Sequence, residues 1–324
     1  MENNKNLIVI CGPTSTGKTS LALNISNKFD GEIISADSRQ VYKGMDIGTG
    51  KDISRDSKIN SEGFYTIDGV KVWGYDLVDP KKEFSVSHFM DFAHKIIDKV
   101  SSRGKLPILV GGTGLYIKAV IDGIETAGVP KNNNLRKSLE SKTASELYET
   151  LSQMDSIKSG SLNASDRHNP RRLIRAIEVA QYHLTKKNLP THHSIGDEFE
   201  ILFVGLTAPK SFLNKKIEKR VKDRVAGGIK DEITKLLDSG VNWEDQSMMA
   251  IGYRGWRDYF DGDVPEEQIV NEWALDEIKY AKRQMVWFKK DPRIVWFDIS
   301  KQNYVESVEN LVKKWYKLNH AEKS

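Results

Sequence analysis

The sequence predicts an α/β fold, a phosphate-loop, doubly wound and mainly parallel sheet that carries a helical insertion domain. Three observations predict it. Short apolar runs alternate with stretches of helical periodicity. The first of these runs leads directly into a Gly-rich turn and then a helix. One internal stretch, 131–193, has helical patterning and no strand-like run.

Taken in order, Leu7 to Cys11 is a continuous apolar, largely β-branched run, the pattern of a strand buried on both faces. Leu21, Ala22, Ile25 and Phe29 then follow helical spacing. Glu32 to Ala36 is a second short strand closed by Asp37, and Phe89 to Val100 reads as a helix. Leu106 to Val110 is a further buried strand ending at Gly111-Gly112-Thr113-Gly114, and Glu200–Leu206 and Ile294–Ile299 supply two more. Segment 51–74 fits either a loop or a hairpin. In a doubly wound sheet the ligand site lies at the carboxyl ends of the strands.

Composition narrows the class. The chain has 324 residues, 39% of them apolar by side chain, with 24 glycines, which excludes a mainly disordered polypeptide. A single cysteine excludes a disulfide framework and a Cys-based zinc cluster and fits a reducing compartment. No run approaches the length of a membrane span, so a cytoplasmic protein with no membrane partner is expected. The net charge of +4 is mild. The stretch 131–193, however, has eleven basic and six acidic residues, so the basic excess sits in the insertion.

Gly12-Pro13-Thr14-Ser15-Thr16-Gly17-Lys18-Thr19 fits G-x-x-x-x-G-K-[ST], with a strand before it and a helix after it. The glycines let backbone N–H groups turn in around phosphate oxygens, and the helix N-terminus adds positive potential. Lys18 supplies a mobile cation, and the Thr19 hydroxyl is the usual ligand for a Mg²⁺ that bridges two phosphates. A phosphate-loop ATPase also needs a carboxylate at the end of a nearby apolar strand. Leu106 to Val110 ends in Gly-Gly-Thr-Gly instead.

Asp37 does end a strand, beside the loop, where it could take a proton from an acceptor; a turn or N-cap aspartate is the plainer alternative. Thr113 could hydrogen-bond a reacting group or simply sit in a tight strand-to-helix turn. Arg167, Arg171, Arg172 and Arg175 lie within nine residues, with Arg172 and Arg175 on one helix face, where two guanidiniums can track a phosphate backbone. A second run, Lys215 to Arg224, fits a ligand site or a solvated face equally. A third, Glu277 to Lys290, has one core-facing side and one basic, aromatic side suited to RNA. His168, His192 and His193 lack zinc spacing, and Cys11 reads as packing.

The phosphate loop, Ile34-Ser35-Ala36-Asp37-Ser38-Arg39-Gln40-Val41-Tyr42 and Asp46-Ile47-Gly48-Thr49 resemble the tRNA dimethylallyltransferase family. So do Leu109-Val110-Gly111-Gly112-Thr113-Gly114-Leu115-Tyr116, Asn169 to Val179, Ala250-Ile251-Gly252-Tyr253-Arg254 and Tyr280-Ala281-Lys282-Arg283-Gln284. They stand in the family's order over nearly the whole chain. The resemblance implies transfer of a dimethylallyl group from its diphosphate to the exocyclic N6 amine of the adenosine 3′-adjacent to a tRNA anticodon. It implies Asp37 as general base, Thr113 at the reacting centre, and Lys18 and Arg220 on the leaving diphosphate with Mg²⁺. It also implies tRNA contacts by Asp37, Ser38, Arg39, Gln40, Thr113, Arg136, Arg171, Arg172, Arg175, Gly252, Tyr253, Arg254, Lys282, Arg283 and Gln284. The expected partners are the tRNA anticodon stem-loop and dimethylallyl diphosphate, and a monomer is expected.

The implied organisation is 1–130 as the first part of the core, 131–187 as a helical tRNA-binding insertion and 188–324 as core completion with basic-aromatic helices. The chain departs from the family pattern at three places. Gly50-Lys51-Asp52 stands for Ala-Lys-Pro, Trp73-Gly74 precedes Tyr75-Asp76 where His-His precedes Ile-Asp, and Asn169-Pro170-Arg171-Arg172 stands for Asn-Asp-x-Arg. Alternatives are a small-molecule kinase, a prenyltransferase acting on free adenine nucleotides, and an RNA-binding protein with a vestigial loop. The basic insertion argues against a mononucleotide acceptor. The Gly-Gly-Thr turn and the C-terminal basic-aromatic helix go unexplained by a kinase, and the intact Gly17-Lys18-Thr19 speaks against a vestigial loop.

Overall fold

Alternation along the strands explains why they read as unbroken apolar runs. In the computed structural model, which describes residues 5–53, 59–185 and 194–321, strand β1 (Lys5–Cys11) is central. Leu7, Val9 and Cys11 point into one core together with Ile34, Phe89 and Phe203, while Ile8 and Ile10 point into another with Leu21, Ile25 and Val204. Each face buries its own set, so Leu7 to Cys11 is apolar at every position, and only the outer end, Lys5 and Asn6, is polar.

Seven strands form the sheet: β1, β2 (Gly31–Ser35), β3 (Phe64–Ile67), β4 (Val70–Trp73), β5 (Leu106–Gly111), β6 (Phe199–Thr207) and β7 (Val295–Asp298). Their order is β3-β4-β2-β5-β1-β6-β7. All neighbours are parallel except the β3–β4 pair. That pair makes Phe64–Trp73, within the ambiguous segment (residues 54–58 of which lie outside the described residues), an antiparallel hairpin. Its two-residue turn is Asp68-Gly69, with φ of 47° and 80°, left-handed at both positions. β1, β2 and β5 end together, which brings the Gly12–Gly17 turn, Asp37 and Gly111-Gly112 to one edge of the sheet.

By contacts the chain divides into two compact units, Met1–Asp122 with Ile195–Ser324, and Gly123–Ser194. The second is all-helical among the described residues, with a core of Leu139, Leu147, Leu151, Leu173, Ile177 and Ala180. Its patterned stretch is broken into Asn133–Leu139 and Ala144–Met154, because Thr143 and Glu146 form a reciprocal capping box that starts a new helix. The unit begins before 131 because Arg175 Nη2 donates to the carbonyls of Thr126 and Val129, at 2.7 and 2.9 Å, tying that segment to the helix Pro170–Thr185. No helix of the described residues is long and apolar enough to cross a membrane.

Candidate active site

The turn after β1 is built around one forced glycine. Gly12 has φ of 140°, and a Cβ there would lie 2.4 Å from the Leu206 carbonyl oxygen of β6. Thr16 Oγ1 and Lys18 Nζ both donate to the Pro13 carbonyl, at 2.9 and 2.7 Å, which curls the loop over the start of the helix Lys18–Phe29. Thr14, Ser15, Gly17, Lys18 and Thr19 face a cleft of about 590 Å³, whereas Gly12, Pro13 and Thr16 are buried.

Side chains from several other segments meet the loop in this cleft. Arg220, on the helix Lys210–Ala226, donates from Nη1 to Thr14 Oγ1 at 3.0 Å and from Nη2 to the Gly50 carbonyl at 3.3 Å. Behind it Arg224 is buried against Glu277, at 3.1 Å. Desolvation and the neighbouring Arg220 charge pull Lys18 down to about 8, opposed by Asp37. Desolvation, with Arg220 again adding, pulls Arg224 down to about 10. A dianion entering here would meet three converging cations.

Asp37 faces the same cleft. Its Oδ1 accepts the Arg39 N–H at 2.8 Å, so it closes a turn and presents a carboxylate at once. Ser38 donates its N–H to Thr113 Oγ1 at 3.1 Å. The Tyr280 hydroxyl also pairs with Thr113 and is pushed up to about 12 by desolvation, the Asp37 charge adding to this. Thr113 thus joins the β2 and β5 ends to the helix Glu266–Phe288. Arg39 donates to the Gln246 carbonyl at 2.8 Å, and Gln40 is held between Ser35 Oγ and the Gly50 carbonyl, at 2.8 and 3.1 Å. Arg39, Arg254 and Arg283 line the outer part of the cleft.

Comparison with known proteins identifies the family. The family model described as IPP transferase matches residues 40–291, and the one described as Isopentenyl transferase matches residues 5–66. The tRNA dimethylallyltransferase of Geobacillus thermodenitrificans is 38% identical over 299 residues, covering 91% of this chain and 90% of that protein. The enzyme of the same name from Halalkalibacterium halodurans is 36% identical over 310 residues, covering 93% and 94%. The chain belongs to the tRNA dimethylallyltransferase family. The full-length tRNA isopentenylpyrophosphate transferase of Bacillus halodurans has this fold with a TM-score of 0.70 at 33% identity, over 98% of this chain and 99% of that one. A eukaryotic dimethylallyltransferase solved acting on tRNA shares the fold at a TM-score of 0.75 and 23% identity, over 97% of this chain and 79% of that one.

Within this tRNA dimethylallyltransferase framework several expected contacts have other work. Tyr253, expected at the tRNA surface, is fully buried and donates to Glu232 Oε1 at 2.6 Å. Glu232 also accepts the N–H groups of Asp46, Ile47 and Gly48, at 2.9, 2.8 and 3.0 Å. One carboxylate with four donors therefore fixes the loop whose Gly50 carbonyl receives Arg220 and Gln40. Lys51, its side chain buried, fastens the same loop to Asp46 at 2.7 Å and to Asp76. Gln284 accepts the Thr14 N–H and donates to the Gly112 carbonyl, both at 2.9 Å, stitching the phosphate loop to the β5 turn. Lys282 is exposed and does not line the cleft.

In the helical unit Arg136 and Arg175, both partly exposed, converge on one buried carboxylate. Glu178, its side chain 1% exposed, takes Arg136 Nε and Nη2 at 2.6 and 2.7 Å and Arg175 Nη1 at 3.1 Å. Desolvation pushes its carboxyl up, but the hydrogen bonds from Arg136, Asn132 and Arg175 outweigh this and hold it below the ordinary range. Arg172 is exposed and paired with Asp166, and Arg171 is exposed. His168 contacts the Ala164 carbonyl at 2.7 Å; His192 and His193 lie outside the described residues. Burial pushes the Cys11 thiol up to about 12, in keeping with a packing role.

Proposed function

We propose that this chain transfers a dimethylallyl group from dimethylallyl diphosphate to the N6 amine of the adenosine 3′-adjacent to the anticodon in tRNA. The observation that carries the reading is the meeting, in one cleft, of the phosphate loop, Arg220 bonded to Thr14, and the Asp37 carboxylate from a separate strand end. The N6 lone pair attacks the allylic C1 as the C1–O bond breaks. The electron pair leaves on the diphosphate, and the N6 proton passes to Asp37. Because the amine's lone pair is delocalised into adenine, leaving-group stabilisation matters most, and Lys18, Arg220 and the loop N–H groups supply it.

The donor set suits Mg²⁺ held mainly through phosphate oxygens and water. The Thr19 hydroxyl and the Asp37 and Asp52 carboxylates all line the cleft, and the described residues contain no cluster of three or more His, Cys, Asp or Glu that would enclose a metal by itself. When bound, Mg²⁺ adds neutralising charge on the diphosphate. Thr113 and Tyr280 orient Ser38 and the acceptor side. Arg39, Arg254 and Arg283 face the RNA, which is pulled out of its stack to reach the cleft. In this reading Met1–Asp122 with Ile195–Ser324 forms the catalytic core of a cytoplasmic, monomeric enzyme, and Gly123–Ser194 grips the stem-loop through Arg171 and Arg172.

The test is transfer of label from dimethylallyl diphosphate, with Mg²⁺, to an unmodified tRNA carrying that adenosine, with AMP as a second acceptor and ATP hydrolysis followed alongside. Label in tRNA alone is expected. Label in AMP, or phosphate leaving ATP with no prenyl transfer, overturns the reading. Within the insertion, Arg171→Ala is expected to lower tRNA affinity and reduce the salt slope by about 1. Arg136→Ala is expected to leave that slope unchanged and cost about 1–3 kcal/mol of stability in urea unfolding, since Glu178 loses a charged partner.

A further inference from the structure

The helix Glu266–Phe288 finishes its core packing with Ala281, Gln284 and Phe288, all buried. Trp287, beside them, is left 44% exposed, and among the described residues it is the tryptophan that packing leaves at the surface. It sits one turn beyond Arg283 and Gln284, which line the cleft. Its indole lies against Gly114, where a Cβ would be 2.1 Å from Cδ1, so the chain gives up a side chain immediately after Thr113 to let the ring approach. The next residue, Leu115, is also 44% exposed. The exposed indole is thus an apolar shelf one turn from two residues that line a polar cleft, and Leu115 adds exposed apolar surface next to Gly114. Around the shelf Lys282, Arg283, Lys289 and Lys290 are exposed cations on the same stretch of chain.

We propose that Trp287 is a stacking platform for the unpaired tRNA base that neighbours the acceptor adenosine. The inference rests on the reading of the cleft as the place where that adenosine is modified, and it names a specificity element of the same site. Cations flanking an exposed aromatic ring match a ligand that is anionic along its backbone and presents a flat π-face, and an unpaired nucleotide has both. Once the acceptor is withdrawn into the cleft its neighbour loses a stacking partner, and the indole replaces it. The platform is sequence-tolerant, since every base has a π-face, and so acts on affinity rather than on the chemical step.

The experiment uses the full chain and an anticodon stem-loop RNA with 2-aminopurine in place of the base on either side of the acceptor. Binding to wild type is expected to quench the probe at one of the two positions. Trp287→Ala and Trp287→Leu are expected to lose the quenching and raise the Kd for RNA by about 5- to 100-fold, with kcat at saturating RNA held within about two-fold. Trp287→Phe is expected to restore most of the affinity. Trp287→Leu keeps apolar contact with Gly114, and unchanged calorimetric binding of dimethylallyl diphosphate shows that it is folded. Absence of quenching in wild type, or quenching and Kd unchanged in Trp287→Leu, overturns the platform. If wild type transfers no dimethylallyl group to tRNA, the proposed function falls instead, so the two failures are separable.

Discussion

Asp37→Asn is expected to lower the single-turnover transfer rate by about 10²–10⁴-fold while tRNA affinity stays within about two-fold. Asparagine keeps an oxygen where Asp37 Oδ1 accepts the Arg39 N–H, so the turn that sets Arg39 and Gln40 survives and only the proton-accepting capacity is lost. Asp37→Ala removes both. It is expected to match the loss in rate and also to raise the KM for tRNA, because Arg39 loses the turn that aims it and Gln40 shifts against the Gly50 carbonyl. The two variants separate the base from the turn residue: the structure shows the turn contact, and the proposed function adds the base. Single-turnover rates and filter-binding affinities measured side by side check this. Near-wild-type turnover in Asp37→Asn removes the assignment.

What the sequence disclosed was the chemistry that is contiguous in the chain. The phosphate loop occupies one turn between a strand and a helix, so spacing and context alone identified it, and Asp37 was legible because it ends a strand that must lie nearby. The Asp68-Gly69 turn was an equally local signal for the β3–β4 hairpin, and it would have resolved residues 64–73 of segment 51–74. Long-range partners were not legible. Spacing places Arg172 and Arg175 on one helix face, but nothing local reveals that Arg175 and the distant Arg136 converge on Glu178. Glu232 sits on an ordinary amphipathic helix, and its four donors come from residues 46–48 and 253. Gln284 reads as one more polar residue on a basic helix until the fold brings Thr14 and Gly112 to it. Glu232 and Gln284 hold the loops that line the cleft, whereas Glu178 with its two arginines holds the helical unit together.

Lys18→Met is expected to cost about 10²–10³-fold in transfer rate, since the cation that the proposed function sets on the departing diphosphate is replaced by an apolar chain of similar length in a desolvated site. The wild-type pH dependence gives an independent handle on the same group. Desolvation and Arg220 bring Lys18 from its ordinary 10.5 down to about 8. Diphosphate binds the charged form, so affinity for dimethylallyl diphosphate is full below pH 8. It falls as pH rises through that value, by up to tenfold per pH unit until the higher pKa of the complex is reached. The Lys18 contribution to folding runs the other way. Between about 8 and 10.5 the unfolded chain holds a proton that the folded chain has released, so over that window this one group makes the fold more stable as pH rises. Weaker donor binding without loss of structure above pH 8 is therefore the signature of Lys18, and it distinguishes titration of the loop from alkaline unfolding. Calorimetric titration of the donor from pH 6.5 to 9.5, with circular dichroism alongside, measures both. A flat binding profile in wild type, or a slope that persists in Lys18→Met, assigns the pH dependence to another group.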